Sequence, residues 1–469
     1  VEYLQFLITL DCMVLLHSRV TVETRGNSTL LCLDKQEIPI PAEYEFLFPV
    51  INCAKETPVL IDELSDTVFE QYSFKGMTLF YRLLDYLNSG GVLLFQIPGI
   101  IEVSLMNTKP GRNKPVILPN KKYRLSSFSF MRNKIDGLYL ESALCPVRVR
   151  VLDDRFTGLI IKKEGVTLDE VENCDDIIKS KLKNALLLLL YYGVLIESES
   201  DEEDLRYWEF HDLLLHGRSR AGSNVGGFGP TYRFESPAPP ALVAPSSDSF
   251  AVYLDKPDVE YYMSKSPTFF SITENRFSHR DYSAEPLELS VLAALLYLSS
   301  RVKNKYDTES YEATSRPYPG GGGLYELELY LSINRCRDVK SGVYRYSPET
   351  HSLHLVCEPN ALTHRLWHEA AQSAQCDNFH VLLNISARID RVMWKYEAIA
   401  YSLILKDCGV FMQNFCLACS ALGLGSCMLG AGSSHTLSAI TGRDIYLEAP
   451  VGELVFGVPS QDYSNGDLP

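Results

Sequence analysis

The sequence is short of positive charge. Forty-four lysines and arginines face 59 aspartates and glutamates, a formal net charge of −15 over 469 residues. A protein whose main partner is a polyanion normally carries a basic footprint. Nucleic acid is therefore set aside, and a neutral or basic ligand, or a peptide, fits better. Long apolar runs are missing as well. The longest uninterrupted one, ALLLLLYYGVLI at 185–196, contains Gly193 and falls short of the roughly 20 residues a membrane span needs. The start, VEYLQFLITLDCMVLLH, has no basic n-region and carries Glu2 and Asp11, unlike a secretory signal. The 12 cysteines follow no framework spacing, as expected of reduced, buried thiols in an intracellular protein. The pair CLAC (Cys416, Cys419) has no second pair and no adjacent histidine, so no metal is expected there. GxxxxGK[ST] is absent, which excludes a P-loop. The expectation is a soluble, cytoplasmic protein with no membrane and no nucleic-acid partner. What is present is ordinary for such a protein: 46% hydrophobic and 22% charged residues, enough for a substantial core and two to four domains.

The fold class expected is α+β. The first two hundred residues read as one small unit used twice. The first copy holds a hairpin, VTVETRGNSTLLCL, with Gly26-Asn27 as its turn, and closes with FYRLLDYLNSGGVLLFQI. The second holds SFSFMRNKIDGLYLES and closes with LKNALLLLLYYGVLIES. Each ends in an amphipathic helix followed by Gly-Val-Leu entering a strand, at Gly91–Leu93 and Gly193–Leu195. Strands, about three helices, then a strand suit winged-helix-like modules over 1–100 and 101–205. Such modules can accept an extended peptide or serve as structure only. After the acidic run ESESDEED come GSNVGGFGP and SPAPPALVAPSSDS, which read as a linker over 206–265. His211 and His216 within it are expected to be solvated or structural. A larger domain follows over 266–469.

Four segments of that domain carry chemistry. In ENRFSHRDYSAEP, Arg276, Ser278 and Arg280 alternate, so an extended backbone turns all three to one side. Two guanidinium forks and a hydroxyl suit a phosphate. The next helix is expected from Glu285, with Pro286 in its first turn. In SRPYPGGGGLYELELYLSI, Pro319 fixes a turn and Gly320–Gly323 leave bare backbone before a strand, an arrangement for close approach of a flat ligand. No helix follows, as a dinucleotide fingerprint would require. In RVMWKYE, Lys395 and Tyr396 open an apolar run from Ala398 to Leu422, broken only by Lys406 and Asp407. That run predicts a helix about 40 Å long, buried all round in a core or at a subunit interface. Adjacent helical residues point about a hundred degrees apart, so Lys395 and Tyr396 share one site only at a helix start or an irregular turn. Finally, ALGLGSCMLGAG ends the helix at Gly423 and Gly425 and offers backbone donors.

Together RFSHR, SRPYPGGGGLYELELYL, RVMWKYEAIAYSLILKDCGVFMQNFCLACSALGLGSC and GELVFGVP resemble the FMN-dependent azoline oxidases of the nitroreductase superfamily. With two repeats ahead of the oxidase, the chain is most similar to the cyanobactin oxidases, where peptide-clamp domains precede the FMN domain. The resemblance implies two winged-helix-like peptide clamps, then a nitroreductase-like domain with an antiparallel-rich mixed sheet flanked by helices. It implies that Arg276, Ser278 and Arg280 bind the FMN phosphate. Pro319, Gly320 and Gly321 would lie against the flavin ring, and Gly423, Leu424 and Gly425 along its other edge. Lys395 and Tyr396 match the pair associated with azoline oxidation. Two departures stand out. Gly320 occupies a place where many relatives have serine, and FGVPSQDYSNGDLP lacks the closing basic residue many nitroreductases place near the phosphate.

The activity implied is dehydrogenation of thiazoline or oxazoline rings in a heterocyclised precursor peptide. A base removes a ring proton, hydride passes to the flavin, and molecular oxygen reoxidises it. Tyr396 is the candidate base, assisted by Lys395, with the lysine amine itself as second choice. The resemblance also implies a homodimer and a leader segment held by the repeats. An NAD(P)H-dependent FMN reductase of nitro or quinone compounds, and a non-catalytic scaffold that recruits a precursor peptide, are the competing readings.

Overall fold

The computed structural model describes residues 2–26, 28–33, 36–105, 118, 121–172, 176–199, 205–220, 227–234, 250–308 and 311–460. Asn27 of the expected hairpin turn, most of ESESDEED, the first part of GSNVGGFGP, all of SPAPPALVAPSSDS and the last nine residues lie outside them. The chain forms two compact units, Val1–Thr231 and Tyr232–Pro469. The stretch 206–265 contains the helix Phe210–Arg218 of the first unit and the strand Ala251–Tyr253 of the second.

In the first unit, strands drawn from both halves join in one antiparallel seven-stranded sheet. Its order is Val59–Leu60, Met13–Leu16, Leu93–Ile97, Ile101–Leu105, Cys145–Val151, Gly137–Ser142 and Ser129–Lys134. The duplicated pattern has a physical basis. The helices Ile61–Ser89 and Asp176–Tyr192 end at Gly91 and Gly193, with φ of 70° and 71°. After each, the valine N–H reaches back into the last turn, Val92 to Leu87 O and Val194 to Leu189 O. A left-handed residue at this place closes off a helix and is nearly free only for glycine. The chain then enters a strand that pairs antiparallel with an earlier strand of its own half, Leu93–Ile97 with Met13–Leu16 and Leu195–Glu197 with Tyr123–Leu125.

In the second unit a seven-stranded sheet runs Ala251–Tyr253, Ser352–Cys357, Gly342–Ser347, Leu327–Ile333, Val381–Arg388, Glu448–Gly457, Gly425–Leu429. Every pairing in it among the described residues is antiparallel. The central strands Leu327–Ile333 and Val381–Arg388 are buried at every position because helices cover both faces. Leu327, Leu329, Leu331 and Ile333 face the core beneath the helices Leu289–Ser300 and Ala400–Ala421. Tyr330 and Leu382 face the other side, with Leu366 of Ala361–Ala374 and Leu437 of Ser434–Thr441.

Two expectations are corrected. The helix after RFSHR begins at Leu289, because Pro286 disfavours helical geometry in Glu285 and Leu287 pairs with the 335–337 backbone. The long apolar helix spans Ala400–Ala421, about 33 Å, and is not buried all round. Ile404, Cys408, Phe411, Phe415 and Cys419 bury one stripe, while Tyr401, Leu405 and Val410 are 37%, 39% and 44% exposed.

Candidate functional site

The helix Ala400–Ala421 separates the candidate residues into two groups, one near each end. At its N-terminal end the chain leaves the short helix Ile389–Met393 and turns through Trp394, Lys395 and Tyr396. The N–H groups of Lys395 and Tyr396 both return to Val392 O, at 3.1 and 2.8 Å. This tight, irregular turn lets adjacent side chains reach one place. A Cβ built on Gly322 would lie 2.6 Å from Tyr396 Oη and 2.8 Å from Lys395 Nζ. The glycine loop and the lysine–tyrosine pair are thus one site, and Gly322, at φ 63°, is its closest approach.

The loop is fastened from beneath. Gly321 N–H donates to Asp407 Oδ2 at 2.7 Å, and a Cβ on Gly321 would meet Leu403 Cδ2 at 2.5 Å. Pro319 and Gly320 precede this contact, with Gly320 against the Tyr325 ring. Behind Asp407 lies Glu326, wholly buried. Burial, then the neighbouring Asp407, pushes the Glu326 carboxyl up to about 7, and burial raises Asp407 as well. Arg391, 2% exposed, gives its guanidinium to carbonyls, Nε to Leu324 O at 3.0 Å and Nη2 to Glu312 O at 2.8 Å. Burial, with Arg388 and Arg316 nearby, lowers it to about 10.

Lys395 is 9% exposed. Burial alone would lower its pKa, but a hydrogen bond to Tyr311 and the surrounding phenols of Tyr396, Tyr311 and Tyr232 more than offset this, and the net direction is upward. Its Nζ lies 2.7 Å from Tyr311 Oη, and 4.6 and 5.2 Å from the ring centres of Tyr311 and Tyr396. The amine is held as an ammonium among aromatic rings.

Near the other end of the helix, RFSHR runs extended beside the strand Gly425–Leu429, with Ser278 bridged in parallel to Ser426 and His279 N–H donating to Ser426 O at 3.0 Å. Phe277 and His279 stack on one side at 3.8 Å between centroids. Strand alternation puts Arg276, Ser278 and Arg280 on the other, with Ser278 and Arg280 exposed. His279 lies over Gly425, where a Cβ would meet its Cγ at 2.7 Å. Gly423 and Leu424 form the preceding turn. Ser420 on the same helix meets Ile272. From Asp407 to Ser420 the helix rises about 20 Å.

Cys416 and Cys419 point into the core, where burial raises both thiols. Among the described residues no His, Cys, Asp and Glu group is arranged to hold a metal, and no helix is long and apolar enough to cross a membrane. Tyr311, Asp407, Glu326 and Arg391 were not among the expected site residues. Asp407 had a signal, as an acid inside the apolar run, and Arg391 stands four residues before Lys395. Tyr311 had none.

The cyanobactin oxidase family model matches residues 123–224, and the nitroreductase family model matches 273–457. A Methanocaldococcus jannaschii protein named as a nitroreductase is 28% identical over 186 residues, 38% of this chain and 88% of the relative. The microcin B17-processing protein McbC of Escherichia coli is 23% identical over 212 residues, 42% of this chain and 75% of McbC. Among solved structures, the E. coli microcin synthetase McbBCD complex with truncated pro-MccB17 bound matches 64% of this chain and 100% of its own, at 20% identity and TM-score 0.35. A Desulfovibrio desulfuricans structure named as a nitroreductase in complex with FMN matches 43% of this chain and 91% of its own, at 15% identity and TM-score 0.29. The chain is thus similar to the cyanobactin oxidases over 123–224 and to the nitroreductase family over 273–457.

Proposed function

We propose that this chain is an FMN-dependent azoline oxidase. It removes two hydrogens from thiazoline, and also oxazoline, rings of a heterocyclised precursor peptide in the cytoplasm, with oxygen as electron acceptor. The observation that carries this reading is the convergence of Lys395 and Tyr396 over Gly322. The residues present fit the cofactor. Bare backbone lies directly under the two polar tips, and Arg276, Ser278 and Arg280 line up beside the Gly423–Gly425 backbone. FMN, when bound, supplies hydride acceptance, which no side chain can.

The remaining chemistry belongs to the protein. Tyr396 acts as its phenolate and becomes the neutral phenol on taking the ring proton, and the Lys395 ammonium, 5.2 Å from the Tyr396 ring centre, stabilises that phenolate before the transfer. The upward direction of the Lys395 pKa favours this assignment over a neutral lysine base. Arg276, Ser278 and Arg280 hold the phosphate, Pro319, Gly320 and Gly321 lie at the ring, and Gly423, Leu424 and Gly425 follow its far edge. Since these groups lie near opposite ends of one helix, a homodimer would complete each site, with the exposed Tyr401, Leu405 and Val410 as part of the contact. The first unit, with its clamp-like duplicated halves, would hold the leader of the peptide.

The test is mass spectrometry of an azoline peptide incubated with the FMN-loaded protein. Loss of two hydrogens per ring is expected. Lys395→Ala and Tyr396→Phe should stay yellow and lose that reaction. Rapid reduction by NADPH with the peptide unchanged would replace this reading with a small-molecule reductase, and a protein that takes up no FMN would replace it with a scaffold.

A further inference from the structure

We propose that Tyr311 is a positioning residue of this site, whose hydroxyl ties the Lys395 amine to the Gly322 carbonyl and so fixes where the amine stands over the loop. The inference rests on the azoline-oxidase reading above. Tyr311 Oη accepts from Lys395 Nζ at 2.7 Å and donates to Gly322 O at 2.7 Å. One hydroxyl thus links the cation to the residue over which both Lys395 and Tyr396 converge.

Tyr311 is itself held on several sides. Its N–H donates to Thr308 Oγ1 at 3.0 Å, its carbonyl accepts from Thr308 N at 3.0 Å, and its ring meets Trp394 edge-on at 6.1 Å. The next residue, Glu312, is gripped at its carbonyl by buried Arg391. A lysine side chain has many rotamers, and a hydrogen bond from a preorganised phenol selects among them. The groups acting on the amine are Tyr311, Tyr396 and Tyr232, phenols from three segments. Burial pulls the amine toward its neutral form, and the Tyr311 hydrogen bond is the largest opposing influence. Tyr311 therefore holds the Lys395 amine in place and favours its charged form.

The experiment is Tyr311→Phe in the full chain loaded with FMN. Phenylalanine keeps the ring and its Trp394 contact and deletes both hydrogen bonds. We expect kcat on an azoline peptide to fall about tenfold to a hundredfold, the scale of a lost hydrogen bond to a charged group, with KM within about twofold. The high-pH limb of kcat should move to lower pH. The decisive readout needs no turnover: in protein labelled with 13Cε-lysine, the Lys395 resonance, assigned through Lys395→Arg, should titrate at lower pH in Tyr311→Phe than in the parent. If Lys395 titrates at the same pH in both, or the variant loses only thermal stability while its pH profile stays put, the proposal is overturned. If the resonance shifts but neither protein oxidises the peptide, the azoline-oxidase reading fails and the role of Tyr311 stands.

Discussion

Replacing Gly322 by alanine perturbs the site at its tightest point. Gly322 sits at φ 63°, a left-handed conformation that costs an L-residue about 1–2 kcal/mol. For a domain of this size, that strain lowers Tm by about 2–8 °C. The added Cβ has a second consequence. At 2.6 Å from Tyr396 Oη and 2.8 Å from Lys395 Nζ it lies well inside contact distance, so the two tips or the loop must move by about 1 Å. Misplacement on that scale costs reacting groups about a hundredfold in rate. Gly442→Ala separates the two effects. Gly442 has φ 66°, close to that of Gly322, with nothing within 4 Å of a built Cβ, and it ends the helix Ser434–Thr441. Both variants should therefore lose similar thermal stability, read by scanning calorimetry of the FMN-loaded protein. Only Gly322→Ala should lose dehydrogenation per folded molecule, read by mass spectrometry of the azoline peptide. If Gly322→Ala keeps parental turnover at parental flavin occupancy, Lys395 and Tyr396 do not act where they converge.

Glu453 predicts a pH dependence of stability. It is 5% exposed, accepts a hydrogen bond from Asn384 at 2.7 Å, and burial pushes it up to about 7. The folded state then keeps a proton that the unfolded chain releases near the ordinary carboxyl value, so its contribution is present at low pH and lost as pH rises from about 4.5 to 7. Glu453→Gln should therefore gain on the parent by about 2–3 kcal/mol between pH 5 and 8 in urea unfolding, and a constant difference would count against a buried neutral carboxyl. Arg391→Met should destabilise the second unit by about 3 kcal/mol through two abandoned carbonyls. Lysine should not rescue it, since it cannot reproduce the fork, and a Lys variant with parental Tm would show that the two carbonyl contacts are dispensable.

How much of this was legible in the sequence depended on whether the signal was local. Gly91-Val92-Leu93 and Gly193-Val194-Leu195 announce helix ends because a left-handed cap needs glycine at that place. The alternation of Arg276, Ser278 and Arg280 carries over because strand geometry repeats every two residues. The pairing of Ile101–Leu105 with Cys145–Val151 was not legible, since it depends on contacts some forty to fifty residues apart. Glu328 and Ser332 alternate with leucines like solvent-facing positions of an exposed strand, yet both are buried, because a second layer of helices covers that face. Tyr311 was invisible for the same reason: its hydroxyl matters only once residues 84 positions away fold over it.

The central helix shows how a pattern can be read correctly and interpreted too simply. Its apolar residues surround the helix axis, which ordinarily means burial on all sides. Only one stripe is covered by the sheet and by Leu289–Ser300 within the chain. Tyr401, Leu405 and Val410 are more than a third exposed. Tyr401 and Leu405 stand four residues apart, one turn of a single face. The helix passes from Asp407, under the glycine loop, to Ser420, which meets Ile272. The rise between these two groups is about 20 Å, and in the homodimer proposed above a second copy would contribute to each site. That homodimer would use the exposed Tyr401, Leu405 and Val410, and a monomeric, flavin-saturated, active protein in solution would contradict it.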